Sequence, residues 1–133
     1  MGSTTVLAGR SILVVEDHPL IRFELTGLFE SAGALVIATR TREQALMAVE
    51  QYRIGAALLD YGLREDNVAP LCGLLTRSRI PYMFYTGYPD LEQSYPGIIV
   101  VQKPASAEVL VATMANLAGG PLARSGFSRP LAA

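Results

Sequence analysis

The chain has 133 residues, a formal net charge of −1 and 17% charged residues, while half of its residues are hydrophobic. This length permits one domain of ordinary size, and the composition is too apolar for a disordered chain. The eleven basic residues are scattered along the sequence, so it shows no cationic patch of the kind that nucleic-acid binding requires.

The sequence has a single cysteine, Cys72, and a single histidine, His18. One cysteine cannot form an internal disulfide, and these two residues cannot build a zinc site by themselves. The apolar runs are too short for a membrane span or for the core of a signal peptide. We therefore predict a cytoplasmic protein that binds neither nucleic acid nor a membrane.

Five short apolar runs, at 12–15, 34–38, 56–59, 82–85 and 98–101, have the length of β-strands. Their hydrophobicity is continuous rather than alternating, which is typical of parallel strands covered by helices on both faces. Segments with helical periodicity separate most of these runs. The pattern predicts an α/β doubly wound fold.

The helical segments carry start and stop signals. Pro19 suits the first turn of the first helix, and Gly33 is a natural end for it. Thr41 with Gln44 has the spacing of a capping box for the second helix. Ser106 is placed to cap the last helix.

The segment between the fourth and fifth strands contains Pro89 and Pro96, which predicts a shortened or irregular fourth helix. Periodicity is lacking at both ends of the chain. We therefore predict one domain over residues 10–119, an N-terminal extension at 1–9 and a flexible C-terminal tail at 120–133.

Polar side chains follow four of the five predicted strands. Glu16 and Asp17 close the first, Asp60 the third and Thr86 the fourth, while Lys103 follows the fifth. The carboxyl ends of parallel strands share one edge of the sheet, where ligands bind. Three carboxylates gathered there raise one another's pKa unless a cation neutralises them, and oxygen ligands favour Mg²⁺ over zinc. The sequence therefore predicts a magnesium site at this edge.

This set of residues suits phosphoryl transfer. Mg²⁺ held by a few carboxylates keeps positions open for a phosphoryl oxygen, and an aspartate can attack phosphorus to form an acyl phosphate. We predict Asp60 as the nucleophile, Lys103 as the cation for the phosphoryl oxygens and Thr86 as a hydroxyl donor. Lys103 is the sole lysine among eleven basic residues, which is consistent with a need for a compact charge there.

The residues at these strand ends also resemble a known family. The motifs are Ile-Leu-Val-Val-Glu-Asp-His-Pro at 12–19, Leu-Leu-Asp at 58–60, Tyr-Thr-Gly at 85–87 and Lys-Pro at 103–104. They are similar to those of the receiver domain of bacterial two-component response regulators, over roughly residues 10–119. Residues 81–88 are also similar to the Phe-Ala-Thr-Gly motif of an alphaproteobacterial receiver subgroup, with Tyr85 in place of the usual alanine.

The resemblance implies a flavodoxin-like receiver fold with a five-stranded sheet in the order 2-1-3-4-5. The metal ligands that it implies are Glu16, Asp17, Asp60 and the backbone carbonyl of Gly62. It also implies Asp60 as the phosphoacceptor, Thr86 as the switch hydroxyl, Lys103 as the phosphate-binding lysine and a cis bond between Lys103 and Pro104. The partner would be a histidine kinase or a histidine phosphotransfer protein, and the output would pass through protein contacts.

Val100 and Arg64 are two of the positions that depart from the family pattern. Val100 stands three residues before the lysine, where receivers usually place an aromatic switch residue, so Tyr85, Tyr88 or another tyrosine is a candidate substitute. Arg64 stands where proline is frequent in the loop after the phosphoacceptor.

Other interpretations of these residues stay open. A phosphorylation-independent binding module would keep the fold without the chemistry. A small aspartate-based phosphohydrolase of the haloacid dehalogenase type shares Asp, Thr, Lys and Mg²⁺, but Gly62 stands where that family needs a second acid. Asp17 is equally suited to capping the first helix, and His18 is better suited to the start of that helix than to proton transfer. Cys72 is expected to be a buried thiol without chemistry.

Overall fold

The computed structural model describes residues 5–60, 68–87 and 97–119. Five strands and four helices lie within these ranges. In chain order they are β1 (Ser11–Val15), α1 (Pro19–Ser31), β2 (Leu35–Thr39), α2 (Arg42–Gln51), β3 (Ala56–Asp60), α3 (Ala69–Arg77), β4 (Tyr82–Thr86), β5 (Ile99–Gln102) and α4 (Ala107–Gly119). The expected fourth helix between β4 and β5, the tail at 120–133 and Gly62 lie outside the described residues.

The five strands form one sheet in the order β2-β1-β3-β4-β5, and every neighbouring pair is parallel. This confirms the predicted doubly wound fold and its strand order. The inner strands β1, β3 and β4 are almost wholly buried, as continuous apolar runs between two helical layers require.

Two apolar clusters cover the two faces of the sheet. Successive strand residues point to opposite faces, so Leu13 and Val15 of β1 join one cluster while Ile12 and Val14 join the other. Helices α2 and α3 contribute buried residues to the first cluster, and α1 and α4 contribute to the second. Within the described ranges, no helix has the length and apolar content needed to cross a membrane.

The starts of α2 and α4 follow the sequence signals, with one difference at α2. Thr41 Oγ1 accepts a hydrogen bond from Gln44 N at 3.1 Å, and Ser106 Oγ accepts one from Val109 N at 3.1 Å. The Gln44 side chain accepts a hydrogen bond from Arg40 N at 2.8 Å. Arg40 stands one residue before the cap Thr41, so the capping box extends into the preceding turn.

Helix α1 is capped by His18 rather than by Asp17. His18 Nδ1 accepts a hydrogen bond from Leu20 N at 3.2 Å, which satisfies one of the amides that a helix start leaves unpaired. The interpretation of Asp17 as the cap is therefore wrong, and that of His18 as a helix-start residue is confirmed. The Asp17 side chain is left exposed beside the end of β1.

Residues 5–9 pack against the rest of the chain. The Leu7 side chain is fully buried in the cluster below α1 and α4, and Leu7 N donates to Ala32 O at 2.8 Å. Gly33 has a φ of +102°, and a Cβ there would lie 3.0 Å from the Ala8 backbone. A residue without a side chain is needed at this position for both reasons.

Candidate functional site

The predicted polar residues meet at the carboxyl edge of the sheet. Strand β3 ends at Asp60 and β4 at Thr86, while Glu16 and Asp17 follow β1 directly. Asp60 is in register with Tyr85 on the neighbouring strand, and Thr86 with Gln102. The strand pairing therefore brings these four segments to one rim, as the sequence predicts.

Three carboxylates form the centre of the site. Glu16, Asp17 and Asp60 each offer one oxygen, and these oxygens all lie within 4.8 Å of one another. Glu16 and Asp60 are only 1% and 3% exposed, whereas Asp17 is exposed. Two buried acids and one at the surface give a site that a cation can reach from the side of Asp17.

Lys103 supplies the positive charge that faces these acids. Its Nζ donates to Asp60 Oδ1 at 2.9 Å and lies 4.0 Å from Glu16 Oε1. Lys103 follows β5 directly, and its backbone N donates to Thr86 O at 2.7 Å. The bond from Lys103 to Pro104 is cis, as the resemblance implies.

The Glu16 carboxyl is short of favourable partners. Its Oε2 accepts a hydrogen bond from His18 N at 3.0 Å, but its buried Oε1 accepts none from the residues that the structure describes. Burial and the neighbouring Asp60 carboxyl raise the pKa of Glu16 to about 8. A buried carboxylate oxygen that accepts no hydrogen bond is costly, and the Lys103 ammonium 4.0 Å away offsets only part of this cost, so a bound cation would stabilise the carboxylate further.

This donor set fits a hard divalent cation. Mg²⁺ prefers carboxylate and carbonyl oxygens, keeps several waters and needs only one or two carboxylates from the protein. The exposed Asp17 and the unsatisfied Glu16 Oε1 match that requirement. The carbonyl of Gly62, which the resemblance adds to the ligands, lies outside the described residues.

Arg22 on α1 contacts the turn that carries the acids. Its Nη1 donates to Glu16 O at 3.0 Å and to Asp17 O at 3.4 Å. Arg22 belongs to none of the sequence motifs that predict the site. A cation in the first part of a helix opposes the helix dipole, and that unusual placement was the available signal.

Tyr85 connects β4 to the segment that follows β5. Its ring lies 5.4 Å from Lys103 Nζ, measured to the ring centroid, and its hydroxyl accepts a hydrogen bond from Ala105 N at 3.3 Å. Val100 is half-buried against the cluster on the α2 and α3 face. Tyr88 lies outside the described residues, and Cys72 is a buried free thiol, as expected.

Comparison with known proteins finds relatives of the chain, although no protein-family model matches it. The phyllosphere-induced regulator PhyR of Methylorubrum extorquens is 32% identical over 110 residues, which is 75% of this chain and 41% of the relative. The chain therefore spans about two-fifths of the length of that relative.

Two solved structures share both the fold and part of the sequence. The receiver domain of the response regulator PhyR from Erythrobacter litoralis is 26% identical with a TM-score of 0.72, covering 84% of this chain and 91% of that one. SdrG from Sphingomonas melonis is 33% identical with a TM-score of 0.69, covering 81% and 95%.

Fold and site together define a doubly wound α/β domain with an acidic site at the carboxyl ends of its strands. The chain belongs to the response regulator receiver family and is similar to its PhyR-like members.

Proposed function

We propose that this receiver accepts a phosphoryl group on Asp60 from a phosphohistidine of a histidine kinase or histidine phosphotransfer protein. The observation that carries the proposal is the position of Asp60, whose Oδ1 lies 2.9 Å from Lys103 Nζ and whose carboxylate belongs to the cluster with Glu16 and Asp17. The Asp60 carboxylate can attack phosphorus, and Lys103, together with a cation held by the acids, would offset the charge of the phosphoryl oxygens.

The transfer conserves atoms and charge. A carboxylate oxygen of Asp60 bonds to phosphorus, the phosphorus–nitrogen bond to the donor imidazole breaks, and the bonding electrons leave with that imidazole. Lys103 binds the phosphoryl oxygens, and Thr86, at the end of the adjacent strand, donates its hydroxyl to one of them. Hydrolysis by water later returns the free carboxylate and inorganic phosphate.

Glu16, Asp17 and Asp60 would hold Mg²⁺ at this site, with the Gly62 carbonyl as a further ligand. When bound, Mg²⁺ offsets the charge of the phosphoryl oxygens and orients them for in-line transfer. The unsatisfied Glu16 Oε1 supports this assignment. Mg²⁺ and phosphohistidine proteins are both available in the cytoplasm, where we place the protein.

Intact-protein mass spectrometry after incubation with Mg²⁺ and a small acyl-phosphate donor tests the proposal. We expect the wild type to gain one phosphoryl group, about 80 Da, that hydroxylamine removes, because an acyl phosphate is labile. Asp60→Asn should gain nothing. Asp17→Asn keeps the acceptor but lacks a metal ligand, so its phosphorylation should need more Mg²⁺.

An adduct on Asp60→Asn would move the acceptor elsewhere. An Asp17→Asn variant with the Mg²⁺ dependence of the wild type would remove Asp17 from the metal site.

A second candidate function is a phosphorylation-independent binding module. Val100 favours it, because this half-buried aliphatic residue occupies the place of the usual aromatic switch. Partner binding that is unchanged by Asp60→Asn would support this candidate. The relatives are response regulators, which disfavours the phosphohydrolase alternative.

A further inference from the structure

Tyr85 is buried at the rim of the site and lies close to the reacting groups without being an acid, a metal ligand or a phosphoacceptor. It is the next-to-last residue of β4, is 8% exposed and belongs to the cluster that packs against α1 and α4. The backbone of Tyr85 is held by strands on both sides of β4, and burial in this cluster restricts its side chain.

The Tyr85 side chain contacts the residues on both sides of Pro104. Its hydroxyl accepts a hydrogen bond from Ala105 N, and the Lys103 ammonium lies over its ring. The backbone of Lys103 is held separately, through its N–H to Thr86 O. Two consecutive residues of β4 thus hold the segment at 103–105 in place.

Lys103 needs such support because its ammonium lies on a flexible four-carbon chain, and the side chain as a whole is 27% exposed. An aromatic face attracts an ammonium group through its quadrupole, and the attraction is directional. The centroid of the Tyr85 ring lies 5.4 Å from the lysine ammonium, while Asp60 attracts the same ammonium at 2.9 Å. Together these contacts limit the orientations that the lysine can adopt.

We propose that Tyr85 is a positioning residue that holds Lys103 toward Asp60 and so sets the rate of phosphoryl acceptance. The ring orients the ammonium, and the hydroxyl fixes the segment from which the lysine extends. The inference about rate rests on the proposed function, whereas the inference about the lysine's orientation can be tested without it.

Nuclear magnetic resonance tests the orientation directly, because Lys103 is the sole lysine of the chain and lysine labelled with ¹³C at Cε gives one side-chain signal. We expect the attached protons to be shifted upfield by the Tyr85 ring. Tyr85→Leu should abolish this shift, and Tyr85→Phe should keep it. Tyr82→Leu is the matched control, since Tyr82 is on the same strand but packs in the opposite cluster.

A Lys103 signal that is the same in Tyr85→Leu and the wild type would overturn the proposal. If Tyr85→Leu fails to fold, Tyr85→Phe still decides the role of the hydroxyl. In Tyr85→Phe the Ala105 amide proton should exchange with solvent faster than in the wild type. An unchanged exchange rate would contradict the proposal that the Tyr85 hydroxyl fixes the segment at 103–105.

Phosphorylation kinetics test the consequence for the reaction. Loss of a cation–aromatic contact should slow phosphoryl acceptance in Tyr85→Leu by about three- to fivefold, with Mg²⁺ affinity unchanged. Tyr85→Phe should retain most of the wild-type rate, because it keeps the ring. In a Lys103→Met background, Tyr85→Leu should have no further effect, because the residue that it positions is already missing.

The two proposals fail in different ways. A wild type that gains no phosphoryl group refutes the proposed function, while the lysine signal still decides the contact with Tyr85. A phosphorylated wild type whose rate equals that of Tyr85→Leu refutes the positioning role alone. Equal slowing by Tyr85→Leu with and without Lys103 would assign the effect to general packing and also reject it.

Discussion

Glu16 is a buried acid. Burial and the neighbouring Asp60 raise its pKa from 4.5 to about 8. Between these two values the folded protein binds more protons than the unfolded chain. Glu16 should therefore contribute most to the free energy of unfolding of the metal-free protein below pH 4.5. This contribution should be lost as the pH rises to about 8.

Chemical denaturation in the presence of a chelator at several pH values measures this effect. Glu16→Gln should flatten the pH dependence over this range, because the amide does not titrate. Glu24→Gln, an exposed substitution on α1, should leave the dependence as in the wild type. A Glu16→Gln profile parallel to that of the wild type would contradict the assignment.

The acidic residues of the site could be identified from the sequence because they stand at the ends of strands, and each strand is recognisable as an apolar run. Arg22 and the Tyr85 hydroxyl could not be identified in this way. Their contacts, to Glu16 O and from Ala105 N, depend on the direction of α1 and on the conformation of the segment after β5. Neither is encoded in local periodicity.

At the scale of single elements, a side-chain oxygen caps the start of α2. Thr41 Oγ1 satisfies the Gln44 amide at 3.1 Å. Thr41→Ala should lower the free energy of unfolding by about 1 kcal/mol, measured by urea denaturation. Thr113→Ala is a matched control, because Thr113 Oγ1 donates only to Val109 O within α4, where alanine is a better helix former. Equal losses in both variants would reject the cap.

The strand predictions differ from the structure mainly at the two edges of the sheet. The run at 34–38 becomes β2 at Leu35–Thr39, with Leu35 exposed, and the run at 98–101 becomes β5 at Ile99–Gln102, with Ile99 exposed. An edge strand has a neighbour on one side only and is covered less completely. Apolar composition therefore identifies these strands but does not fix their limits or their burial.

At the scale of the whole molecule, residues 5–9 contribute to the core even though their sequence has no periodicity. A single side chain, Leu7, is fully buried there, while the adjacent Val6 is 50% exposed. Leu7→Ala should lower the free energy of unfolding by about 2–5 kcal/mol, and Val6→Ala by less than about 0.5 kcal/mol. Urea denaturation of the two variants measures the difference, and similar values for both would contradict the packing of this segment.

The contact between Lys103 and Asp60 has a consequence for how the sheet is connected. Asp60 ends the central strand β3, and Lys103 follows the edge strand β5, with β4 between them. Backbone pairing links only adjacent strands, whereas this lysine reaches across about two strand spacings of roughly 4.8 Å each. A change in charge or size at Asp60 therefore affects the edge of the sheet through the Lys103 side chain, without any change in strand pairing.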